Sequence, residues 1–213
     1  PAFNAGANFF FHTIGARLGG MFAVAEGLDY NLEFAYQFGD LNANGGNDVD
    51  VENFAVEAEI GITFNANNNF RVFIRFLYAE GGEGDESGYI PLFTERHAQA
   101  GTGGTQNYRA RYGRMDIVPL TNVITAQGGL HFDPRADWTV GATFIWAQHD
   151  EDVTVGGNSE DQIGFEIDLF ADYRYSDQPT FGFGLGLFFA DEGAPTLGGF
   201  AGNDDDVAVL IYT

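Results

Sequence analysis

A chain of 213 residues with a formal charge of −22, whose nine basic residues are all arginine, lacks the basic footprint that nucleic-acid binding needs. It contains no cysteine, which excludes disulfides, thiolate metal sites and thiol catalysis. No apolar run approaches the roughly 18 residues of a membrane-crossing helix, so the 45% hydrophobic content must be organised in another way.

The chain opens "PAFNAGANFF", without a Met or a basic leader, and is expected to be a processed or partial product. From Phe10 to Val24 the apolar residues Ile14, Ala16, Leu18, Phe22 and Val24 alternate with Thr13, Gly15, Arg17 and Gly19. "LDYNLEFAYQFG", from Leu28 to Gly39, sets Leu28, Tyr30, Leu32, Phe34, Tyr36 and Phe38 against Asp29, Asn31, Glu33 and Gln37. Glu52 to Phe64 and Phe70 to Tyr78 repeat the alternation, with Asn53, Glu57, Glu59, Arg71 and Arg75 on the polar side. Asn122 to Phe132, Trp138 to His149, Ile163 to Tyr175 and Phe181 to Phe189 do so again, and Asp206 to Thr213 is a last, short segment. Ile163 falls in register with the apolar Phe165 and Ile167, opposite Glu166, Asp168 and Asp172. Period-two alternation of this kind marks half-buried strands, so nine strands and no helix are expected.

These strands, at about 9–15 residues, are longer than the roughly 5–6 of soluble sheets and suit a tilted transmembrane barrel strand. Tight turns at "AEGLD", "NANNN", "DPRAD" and "SDQP" alternate with long loops expected at 40–50, 80–120, 148–161 and 190–205. Short turns at one rim and long acidic loops at the other belong to outer-membrane barrels. Aromatic residues near strand ends (Tyr30, Phe38, Trp138, Trp146, Tyr173, Tyr175, Phe181, Phe189) fit interfacial girdles. The expected fold is all-β: a transmembrane antiparallel up-and-down β-barrel, with residues 1–213 as a single domain of about nine strands in a larger barrel.

The segments "HTIGARLGG", "GLDYNLEFAYQFG", "GYIPLFTERHAQAG", "YGRMDIVPLTNV" and "GFEIDLFADYRYS", in this order, resemble the alginate-export family of outer-membrane barrels. The resemblance runs over most of the chain and corresponds to the C-terminal half of a typical member. It implies a barrel of about eighteen strands, completed by a missing N-terminal half or a partner chain. It also implies an outer membrane of the Gram-negative type, with lipid and lipopolysaccharide around the barrel and the long acidic loops outside. The family's best-known role is export of an anionic uronate polysaccharide through an arginine-rich pore.

On the polar face, the expected pore lining is Arg17, Glu33, Glu57, Glu59, Arg71, Arg75, Glu166, Asp168, Asp172 and Arg174. Folding the chain about Asn67 sets Glu59 opposite Arg75, a cross-strand pair of about 0.2–1 kcal/mol. The long connector carries Arg96, Arg109, Arg111 and Arg114, and is expected to fold inward as a constriction. Against inward Gly182, Gly184 and Gly186, either a loop packs closely or the channel is wide. Because the wall mixes both signs with a slight acidic excess, the reading favours passive diffusion of small hydrophilic solutes or saccharides. A plugged scaffold or adhesin barrel and an exporter of an anionic polysaccharide are the alternatives. No cofactor is expected; Asp204, Asp205 and Asp206 are weak candidates for a structural Ca²⁺. The four histidines have no metal-ligand spacing. The three serines, Ser87, Ser159 and Ser176, fall in expected loops or turns away from any Ser–His–acid arrangement, so no enzyme is expected.

Overall fold

The computed structural model describes residues 8–23, 25–42, 48–64, 68–91, 112–115, 117–175, 180–194 and 207–212. They form nine strands: β1 (Asn8–Met21), β2 (Leu28–Asn42), β3 (Asp48–Phe64), β4 (Phe70–Ala79), β5 (Val123–Arg135), β6 (Trp138–Val155), β7 (Asn158–Arg174), β8 (Thr180–Ala190) and β9 (Val207–Tyr212). Each strand pairs antiparallel with its chain neighbour in a single open sheet, β1 to β9, the up-and-down order of a barrel wall. Among the described residues there is no helix.

Alternation makes two unlike faces, and their burial is inverted relative to a soluble protein. On the outer face Ile14 is 62% exposed, Leu18 59% and Ile74 64%. On the other face Gln37 and Glu166 are fully buried. Apolar exposure continued across nine strands exceeds by far the patches tolerated in water. Outward aromatic rings gather in two belts. Near the short turns Phe64 stacks on Phe70, Phe70 approaches Phe132, and Trp138 meets Tyr173. Near the long connectors Phe54 packs between Phe34 and Tyr78, and Phe165 between Phe144 and Phe189. Along β3 the belts stand ten residues apart, from Phe54 to Phe64. That is about 33 Å of strand, or about 25 Å of membrane depth at the usual tilt.

The described residues of one expected loop, and most of a second, are strand instead. The 40–50 region is mostly the paired ends of β2 and β3, whose register reaches Asn42 and Asp48. The 148–161 region continues β6 and β7 into a two-residue turn at Gly156 and Gly157, both with positive φ, the conformation that lets a hairpin turn follow strand twist. Ser159 is consequently a strand residue and donates to Asp152 Oδ2 at 2.7 Å. The face assigned to Ile163 is also corrected. The β6–β7 register slips beside Ala147 and Gly164, and Ile163 turns inward, fully buried with Ala147, Val123 and Phe188.

Candidate functional site

The polar face carries two groupings, one toward each rim. Toward the short turns is an ion-pair network. Across the β3–β4 register Glu59 lies opposite Arg75, as folding about Asn67 anticipates. Arg75 Nε donates to Glu59 Oε2 at 2.8 Å and its Nη1 to Gln127 Oε1 at 3.2 Å. Arg71 Nη2 donates at 2.9 Å to both Glu59 Oε1 and Asp29 Oδ1, joining three strands. Both guanidinium groups and both carboxylates are about 85% shielded. Farther along the sheet Arg17 Nε donates to Asn31 Oδ1 at 2.8 Å, with Glu33 at 4.0 Å. Asn31 Nδ2 lies 3.5 Å from Glu57 Oε1, a polar spacer where Glu33 and Glu57 face each other across the strands.

Toward the other rim the described parts of the 80–122 connector lie against the polar face, held by hydrogen bonds between amide side chains and main chain. Gln37 donates to Ile90 O and accepts from Ile90 N–H, both at 2.8 Å, the exchange a neighbouring strand would make. Asn53 Nδ2 donates to Ser87 O at 3.0 Å. Asn122 exchanges the same pair of bonds with the backbone of Glu151. Between these points, Tyr112 approaches the Arg75 guanidinium at 6.0 Å and Arg114 stacks over Phe170 at 4.9 Å. The Arg114 and Met115 N–H groups donate to Asp168 Oδ2 and Glu166 Oε1 at 3.2 and 3.0 Å. Under this segment is an apolar cluster of Tyr112, Val118, Val123, Ile145, Ile163 and Phe188, partly buried Met115 packing against it. Met115 lies over Gly186, where a Cβ would come within 2.8 Å of its Cγ, so at this glycine close packing is the alternative realised. Tyr89 has its pKa raised by burial and by Glu33.

Beyond the sheet rim, the β6–β7 hairpin carries the carboxylates of the expected acidic loops. Glu151 titrates above the ordinary range through partial burial and the nearby Glu83, Asp150, Asp152 and Glu80. Glu160 is raised by a hydrogen bond with Glu192, and further by partial burial and that neighbour's charge. His149 is buried, with Nδ1 3.2 Å from Asn122 O and Nε2 3.4 Å from Gly193 O, bridging two connectors.

Of the expected pore-lining residues, Glu59, Arg71 and Arg75 meet in one network and Glu166 and Asp168 meet at the connector. Asp172 and Arg174 follow on the same side of β7 toward the short turns, Asp172 opposite Thr139. Arg96, Arg109 and Arg111 lie outside the described residues, as do Asp204, Asp205 and Asp206. Among the described residues no three His, Asp or Glu side chains are grouped to hold a metal. Sequence reasoning missed Asp29, the second residue of β2, beside a turn. It also missed the roles of Gln37 and Asn53 in binding the connector and of Asn122 in tying the connector to β6, and inward Phe73 and Phe170, whose rings lie over Gly129 and Gly141.

A family model described as alginate export matches residues 7–196. No curated protein matches the chain.

Proposed function

The chain belongs to the alginate export family, and from that premise we propose that it forms part of an outer-membrane conduit for a polysaccharide. The family is one of outer-membrane transport proteins, and the sheet is barrel wall. Export of a polymer fits this membership better than the small-solute diffusion expected from wall charge alone. The observation that carries the reading is the coincidence of the match with an inside-out sheet. Its apolar face is bare between two aromatic belts, and its polar face is lined with side chains able to hydrogen-bond hydroxyl groups. In this reading the polar face is the lumen, the short turns are periplasmic, and the inward parts of the 80–122 connector narrow the passage.

Arg17, Arg71 and Arg75 are each set beside carboxylates or amides of the wall. A polymer therefore meets paired charges rather than a row of free guanidinium groups, and the wall offers hydrogen bonds and stacking more than net positive potential. The test is single-channel recording of the full-length protein in planar bilayers, with neutral and uronate oligosaccharides added. Transient current blocks by both are expected, the neutral sugar blocking at least as well. A conducting channel that neither sugar interrupts would return the small-solute porin to first place. A silent membrane despite verified insertion would favour a plugged scaffold or adhesin.

A further inference from the structure

Glu166 and Asp168 are two residues apart on β7, so both carboxylates project from the same face of the sheet. They are 0% and 2% exposed, a costly position for two neighbouring carboxyl groups unless each is engaged. What engages them is main chain: Asp168 accepts the N–H of Arg114 and Glu166 accepts the N–H of Met115, consecutive donors of one segment. Two consecutive N–H donors held by two neighbouring acceptors fix direction as well as distance. Gly113, at φ 90°, makes the approach possible, since a side chain there would collide with the Glu166 carboxylate. On either side of this contact Tyr112 and Val118 are buried in the apolar cluster against the wall.

We propose, resting on the conduit reading above, that Glu166 and Asp168 are positioning residues that clamp the Gly113–Met115 backbone to the wall. They make this stretch a fixed constriction rather than a gate that swings out of the passage. Withdrawal would strip two buried carboxylates of their donors and expose the Tyr112 and Val118 side chains together. Sugars therefore pass beside a stationary segment, and the size of the passage is set by how tightly it is held.

The experiment uses the full-length protein in planar bilayers. Its first variant, Met115→Cys with Gly186→Cys, asks whether the segment lies where it is placed. These 213 residues supply no competing thiol. A disulfide is expected to form under mild oxidant in the folded barrel, with conductance and sugar block unchanged from wild type. Failure of the thiols to join in a correctly folded barrel overturns the proposal. So does a disulfide that stops current or sugar entry until reduced, because the segment would then have to move. The second variant, Glu166→Ala with Asp168→Ala, removes both acceptors. Its conductance is expected to rise about twofold or more, with added noise, and to return to the wild-type level when combined with the oxidised cysteine pair. Glu166→Gln with Asp168→Asn, which keeps an acceptor oxygen at each position, should stay nearer to wild type. An inserted Ala variant with wild-type conductance overturns the clamp, and decides the matter alone if the cysteine pair does not fold. Failure of the polysaccharide reading looks different: wild-type and crosslinked channels pass ions identically, yet no sugar enters either.

Discussion

Arg71 bridges carboxylates from two other strands, Asp29 on β2 and Glu59 on β3, and Glu59 in turn holds Arg75. A carboxylate serving two guanidinium groups at about 16% exposure is in a different position from one in a surface pair. Replacing Glu59 by Ala removes the acceptor of Arg71 Nη2 and of Arg75 Nε and is expected to cost about 1–3 kcal/mol. Replacing Arg17 by Ala, where the side chain is 53% exposed, should fall within about 0.5 kcal/mol of wild type. Urea unfolding in lipid vesicles measures both, and equal costs would mean the network contributes no more than a surface pair. Half of this site is legible in the sequence. The Glu59–Arg75 pairing follows from the length of the turn between β3 and β4, because a hairpin fixes register. Asp29 is not legible, since its partner lies two strands away and is reached only by a long arginine. Gln37, Asn53 and Asn122 are illegible for another reason. An uncharged amide gives no sign in the sequence that its partner will be backbone some 30 to 50 residues distant, in the connector for Gln37 and Asn53 and in β6 for Asn122.

At the scale of elements, β6 and β7 show where composition misleads. "HDEDV" and "NSED" are polar enough to read as loop, yet the strands run through them to the Gly156–Gly157 turn. Pairing continues at Val153–Glu160 and Thr154–Ser159, beyond the last partners offered by β5 and β8. The bulge that interrupts the hairpin also inverts Ile163, which strict alternation assigns to the wrong face. This projecting hairpin gathers carboxylates, and its contacts depend on pH. Glu160 binds its proton more tightly in the fold than the ordinary value of 4.5, through its contact with Glu192. A group with a raised folded pKa contributes stability below its unfolded value and loses it as pH rises through the folded one. The contact between the hairpin and the 191–194 segment should therefore tighten on acidification. The N–H of Gly193 donates to Gln162 O at 2.7 Å and reports on that contact. Its exchange, corrected for intrinsic rate, is expected to slow between about pH 7 and pH 4. Glu192→Gln should bring the Glu160 titration, followed by carboxyl NMR, back toward the ordinary range. An unchanged Glu160 titration in that variant would show that the pairing does not set it.

For the whole molecule, the faces were readable because a barrel wall imposes one rule on every strand, apolar outward and polar inward, and nine repetitions leave little room for error. An inward fold of the long connector is expected from the sequence; what could not be read is which of its residues cover the inner face. Leu77, Ile145 and Phe188 occupy inward positions and need apolar partners, which come from the 112–122 part of the connector. Those contacts join residues far apart in sequence, and no local periodicity announces them. The outer face, by contrast, meets lipid in the barrel reading, and depth in the bilayer should govern substitutions there. Ile74 lies on β4 midway between the aromatic belts marked by Phe70 and Tyr78 and is 64% exposed. Ile74→Arg is expected to cost about 2–4 kcal/mol of folding free energy in phospholipid vesicles, and Phe70→Arg, at the interfacial belt, about 0–1 kcal/mol plus its lost ring contacts. The difference arises because an arginine at the belt reaches the headgroups with its guanidinium, whereas from midway it must bend water or lipid toward itself. If both substitutions cost the same, or if Ile74→Arg is neutral, the exposed face is not in hydrocarbon. The inverted burial of the sheet would then require a protein cover instead.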